Sequence, residues 1–135
     1  MAFQHGKSTK ISVDADDLSA YTNTSEFERG SDEHDVTTYG KDDHVVQGGL
    51  LTGKFTMGGV YDNTAAVTPK AIMPPLIGTV VEVIRMPEGT GTGKPTQTFD
   101  ALLTKYVETS PVADMVTWSA EFTKSDAVAT TTQGP

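Results

Sequence analysis

The clearest pattern in the chain lies near its end. Val116, Trp118, Ala120 and Phe122 alternate with Thr117, Ser119, Glu121 and Thr123, which predicts a half-buried strand. Upstream, Phe99, Ala101, Leu103 and Val107 alternate with Asp100, Thr104 and Glu108. The turn Ser110-Pro111-Val112-Ala113-Asp114 joins the two runs, so their apolar sides should share one core face. Lys7 to Val13 reads as an opening strand with Thr9, Ile11 and Val13 on one side. In Leu51 to Tyr61, Leu51, Phe55, Met57 and Tyr61 oppose Thr52, Lys54 and Thr56, and glycines 53, 58 and 59 point to bulges or close backbone approach. Thr79 to Met86 is apolar on both sides except at Glu82 and Arg85, which predicts a central strand.

Other stretches carry weaker patterns. Asp14 to Asp17 is a turn, and Leu18 to Arg29 is polar, with Tyr21 and Phe27 as its anchors. Gly30 to Asp35 punctuates that run, and Val36 to Gly40 resumes an extended one. Lys41, Asp42, Asp43, His44, Val45, Val46, Gln47, Gly48 and Gly49 offer little to bury and read as a flexible loop. Glu88 to Thr96 is a Gly/Thr-rich hairpin loop, and Asp126 to Pro135 a Thr-rich flexible tail. One short helix is expected: Thr68 caps, Pro69 takes the first position, and Pro74-Pro75 stop it after about one turn.

A length of 135 residues suits a single domain with its own core. Threonine, valine and glycine are heavily used, which favours sheet over helix and predicts an all-β fold with that one helix. Ten Lys+Arg against 18 Asp+Glu give a formal charge of -8, which disfavours nucleic-acid binding by counterion release. With no cysteine, disulfide frameworks and thiolate metal sites are excluded. No apolar run approaches the roughly 18 residues of a membrane span, and the first residues lack a signal-peptide core. The expectation is a soluble, intracellular or assembly-borne protein without a membrane partner.

Candidate chemistry fails on spacing. Gly6-Lys7-Ser8 would need a phosphate-loop glycine where Met1 stands, and Gly93-Lys94 would need one at Glu88 and is followed by Pro95. Asp14-Ala15-Asp16-Asp17 opens like a calcium loop but has Ser19 in place of the glycine and Ser25 at the closing carboxylate. His34-Asp35 and Asp42-Asp43-His44 could supply ligands or acid/base groups, yet their glycine-flanked loops fix no geometry, and they read as exposed loop residues. Trp118 belongs to an alternating apolar face, which favours a core role over ligand stacking. No catalytic, cofactor-binding or metal residue is assigned, and no cofactor is expected.

A longer succession of motifs carries more. Val36-Thr37-Thr38-Tyr39-Gly40, an acidic loop, Gly48-Gly49-Leu50-Leu51, and then Gly53 through Asp62 resemble the tail tube proteins of long-tailed bacteriophages. Ile11 to Asp14 followed by Asp17-Leu18-Ser19-Ala20-Tyr21 looks like that family's opening strand and turn, and Tyr106 to Phe122 like its closing hairpin. The resemblance spans nearly the whole chain in order. The family commonly has a longer helix after the strand that ends here at Tyr61-Asp62, which Pro74-Pro75 would shorten.

The resemblance implies a β-sandwich or barrel whose sheets join between subunits into hexameric rings, stacked as a tube that delivers the genome. It implies a virion tail location, assembly in the host cytoplasm, and tape-measure, tail-tip and terminator proteins as partners. Double-stranded DNA would pass through unbound, because an acidic wall lets it slide. The alternative is a capsid decoration or head–tail joining protein with the same fold. On the tail tube reading, Lys41 to Gly49, the N-terminal residues and the tail are ordered by neighbouring subunits. Thr52, Lys54 and Thr56 then face the lumen, with Lys54 either balanced by nearby carboxylates or paired across subunits; the alternative places this polar face on the outer surface.

Overall fold

The computed structural model describes residues 6–62 and 68–133. Seven strands and one helix follow in the order β1 (Lys10–Val13), β2 (Asp16–Asp17), β3 (Thr22–Asp35), β4 (Val46–Val60), α1 (Pro69–Leu76), β5 (Val80–Met86), β6 (Pro95–Thr109) and β7 (Thr117–Thr132). All seven strands join one antiparallel sheet in the order β2-β1-β5-β6-β7-β4-β3. The all-β expectation with one helix holds.

Alternation puts Phe99, Ala101 and Leu103 of β6 beside Trp118, Ala120 and Phe122 of β7, all buried. Phe55 and Met57 of β4, Val81 and Val83 of β5, and Ile11 and Val13 of β1 extend the same face. Phe27 of β3 stacks on Phe99 of β6 with ring centroids 4.4 Å apart. Two strands separate β3 from β6 in the sheet, so that contact requires the sheet to curl around its own core. Helix α1 supplies buried Met73 to the same core. Val116, expected on this face, is only half-buried and precedes β7.

Gly59 explains one close approach. A Cβ there would lie 1.8 Å from the Tyr21 carbonyl oxygen, which also accepts the Trp118 indole N–H at 3.2 Å. Only glycine lets β3 begin directly over β4 while that buried donor keeps its partner. Asp14 and Ala15, at φ 51° and 69°, form the two-residue turn between β1 and β2.

Several boundaries differ from the sequence expectations. Gly6–Ser8 is a single 3-10 turn, so the opening strand starts at Lys10. The polar run after Leu18 and the supposed punctuation at Gly30 to Asp35 are one 14-residue strand, β3. Val36 to Gly40 is the connection and not an extended run. Pro74 and Pro75 lie inside α1, because proline's fixed φ is itself helical and an eight-residue helix has few internal donors to lose. The Thr68 side chain caps it as expected, accepting from the Ala71 N–H at 3.3 Å.

The stretch after Asp126 is not a free tail. It continues β7 as far as Thr132, laddered against Pro95 to Thr98. Gln133 then fastens it: its side chain accepts from Gly91 N–H at 3.0 Å and donates to Gly89 O at 2.7 Å, and its backbone bonds Gly93 and Lys94. The Gly91 and Gly93 N–H groups are thus spent on Gln133, and those of Gly89 and Lys94 on Met86 O and Gly91 O, rather than open to a phosphate. The N-terminal residues 1–5 and the last two, 134–135, to which ordering by neighbours was also ascribed, lie outside the described residues.

Candidate assembly surfaces

The strands β3 and β4 form a long hairpin, paired from Thr22↔Gly59 out to Asp35↔Val46. β4 pairs with β7 only from Val60↔Thr117 to Lys54↔Thr123. Beyond that point the hairpin leaves the sheet as a two-stranded arm. The cause lies in β7, where Asp126 takes φ 68° and the register against β6 shifts between Thr98 and Asp100. A bulge bends the strand that carries it, so β7 turns away from β4 there.

The expected loop Lys41 to Gly49 is divided by this geometry. Lys41, Asp42, Asp43, His44 and Val45 lie in the connection at the arm's tip, whereas Val46, Gln47, Gly48 and Gly49 belong to β4. The latter are held by backbone ladder bonds, which need no apolar side chain and so leave no mark in the pattern. The tip has a local frame of its own. Asp35 accepts the Thr37 N–H at 2.9 Å and the Thr37 hydroxyl at 2.5 Å, and the Val45 N–H donates to the Thr37 oxygen at 2.8 Å. These donors hold the Asp35 carboxyl below its ordinary value, with His44 Nδ1 3.4 Å away adding to the effect.

Thr52, Lys54 and Thr56 do share one face of β4, opposite Phe55 and Met57. Register extends that face across the sheet: Glu26 and Glu28 lie beside Thr56 and Lys54, Glu121 on β7 is next, then Lys105 and Asp100 on β6, Glu82 on β5 and Lys10 on β1. Lys54 Nζ reaches Glu121 at 3.1 Å and Lys105 at 4.0 Å shares the same carboxylate. Lys54 is therefore balanced within its own chain. Such exposed pairs contribute little stability; their effect is on the field of this face.

The alternation reading missed a set of exposed apolar residues. Leu50 and Leu51 on the arm are 79% and 76% exposed, and Val112 and Met115 in the β6–β7 turn are 107% and 66% exposed. Leu51 points to the same side as Phe55 but lies beyond the sheet that would cover it. Two adjacent leucines in a strand must face opposite ways, a sequence signal that at least one would be unburied. Among the described residues no three His, Asp or Glu side chains are grouped to hold a metal, and no helix is long and apolar enough to cross a membrane.

Comparison with known proteins bears on this architecture. No family model and no curated protein matches the sequence. A chain of the SPP1 tail tube superposes with a TM-score of 0.77 at 11% identity, covering 98% of this chain and 81% of that one. The fold is that of a tail tube protein. A chain from the virion of a native gene transfer agent particle matches at a TM-score of 0.76 and 16% identity, covering 96% of this chain and 99% of that one. One from the six-fold symmetrised baseplate of the anti-feeding prophage matches at 0.63 and 10% identity, covering 92% and 91%.

Proposed function

We propose that this chain is a structural virion subunit that polymerises as stacked hexameric rings into a tail tube. One observation carries the reading: nearly the full length of the chain has the fold of chains in assembled tails, one of them, from the tail of an empty gene transfer agent particle, solved with C6 symmetry. Physical features support it independently. β3 presents 14 residues of unpaired edge, and the arm and distal β7 present further open edges. Long open edges invite pairing with another chain, and closing a ring satisfies them.

The polar face through Thr52, Lys54 and Thr56 is the lumen wall on this reading. It carries six carboxylates (Asp17, Glu26, Glu28, Glu82, Asp100, Glu121) against three ammonium groups (Lys10, Lys54, Lys105), a balance that lets double-stranded DNA slide without being held. The arm's tip, Lys41 to Val45 with its continuation to Gly49, reaches a neighbouring subunit or ring. The protein acts in the virion tail after assembly in the host cytoplasm, beside tape-measure, tip and terminator proteins, and has no enzymatic role.

Electron microscopy of the purified protein, alone and in virions, tests the reading. Six-fold rings and hollow tubes are the expected result, with a predominantly negative lumen in the assembled map. Knobs bound to capsid surfaces, with no rings or tubes, would replace it with a decoration role.

A further inference from the structure

The two ends of the β4–β7 ladder carry complementary surfaces. At one end, the turn after Thr109↔Thr117 displays exposed Val112 and Met115, with Asp114 between them. At the other, the fork where the arm parts from β7 is a groove lined by Arg29, Leu51, Lys124 and Val128. Thr117 and Lys124 lie seven residue steps apart along β7, roughly 20 Å of strand. The turn therefore cannot fill the fork of its own chain.

The fork is both apolar and cationic. Leu51 is 76% exposed there, and Val128 packs only partly against the core. Lys124 lies across Gly53, within 3.0 Å of where a Cβ would stand, and its ammonium donates to the Asp126 carbonyl at 2.7 Å. Arg29 sits 5.3 Å over the Phe27 ring. Among the described residues neither cation has a carboxylate within ion-pair distance, and Asp114 has no cation.

We propose that the Val112–Met115 turn of one copy seats in the fork of the next, Val112 and Met115 against Leu51 and Val128, and Asp114 against Lys124 and Arg29. The contact is head-to-tail, so each copy offers a turn to one neighbour and a fork to another, and it propagates. It rests on the self-assembly reading above and names one of the surfaces that reading requires.

Charge reversal tests it. Asp114→Lys and Lys124→Glu should each raise the concentration needed for assembly about tenfold or more, and the double variant should return it to within about threefold of wild type. A second route avoids any doubt about folding, because it uses two highly exposed positions in a chain without cysteine. In assembled Val112→Cys/Leu51→Cys protein, mild oxidation should yield a ladder of covalent oligomers, absent from either single variant. A ladder ending at six sets the contact within a ring, and a longer one sets it between rings; either supports it. Normal assembly by both charge variants, or assembled double-cysteine particles with no ladder, would overturn the contact while leaving the tube intact. A wild-type chain that never leaves the monomer would overturn the assembly reading and the contact with it.

Discussion

One strand, β4, passes through two different worlds. From Phe55 to Gly59 it is buried apart from Thr56, paired on both sides, and packed through Phe55 against Phe27, Phe99 and Phe122. From Val46 to Leu51 it has β3 alone for a partner, and both leucines stand in solvent. Both halves share the ladder to β3, and only the inner half has a second ladder, to β7. The halves differ also in side-chain burial, at roughly 25 cal/mol per Å² of apolar surface, and an isolated two-stranded ribbon is marginal in water. The inner half makes the domain stable, and the outer half leaves apolar surface uncovered.

The largest expected effect comes from striking the inner half. Trp118→Ala removes a buried ring that touches Tyr106 and loses the bond to Tyr21 O, and should cost about 3–5 kcal/mol in a denaturant melt. A loss below about 1 kcal/mol would break the contrast. Gly59→Ala comes next, at about 1–3 kcal/mol, because the added methyl meets backbone and not a flexible side chain. A variant as stable as wild type would show that β3 can lift from β4 freely.

The same measurement on the outer half should find almost nothing. Leu50→Ser with Leu51→Ser should move the monomer's stability by no more than about 0.5 kcal/mol, while rings and tubes fail to form. A large loss of monomer stability would mean the arm belongs to the core after all.

The smallest effect is confined to the tip. Asp35's carboxyl is depressed below its ordinary 3.8 by the Thr37 donors, so its ordering of the loop is full above that value and fades as pH falls toward the lower one. NMR titration should find Thr37→Val returning Asp35 toward the ordinary value with no change in global melting. An unchanged titration would show that Thr37 does not hold the tip.

Where side chains alternate in and out of a core, the sequence was sufficient. Phe99 to Leu103 and Trp118 to Phe122 show period-two burial because one face of each strand meets other apolar groups. Thr68-Pro69 marked a helix start because a cap and a proline answer a local need for hydrogen bonds and φ. The polar face of Thr52, Lys54 and Thr56 was legible for the same reason as its buried counterpart.

Only the tertiary structure decided β3, the arm and the second half of β7. Their stretches Glu28 to Asp35, Val46 to Leu51 and Ser125 to Thr132 are almost wholly exposed, so their side chains have no reason to alternate. They are strands because backbone N–H and C=O groups pair with a neighbour, and every residue but proline carries the same pair of groups. Pattern records which side chains leave water. It does not record which backbones find each other, and in this protein the second question sets the arm, the fork and the open edges on which the proposed assembly depends.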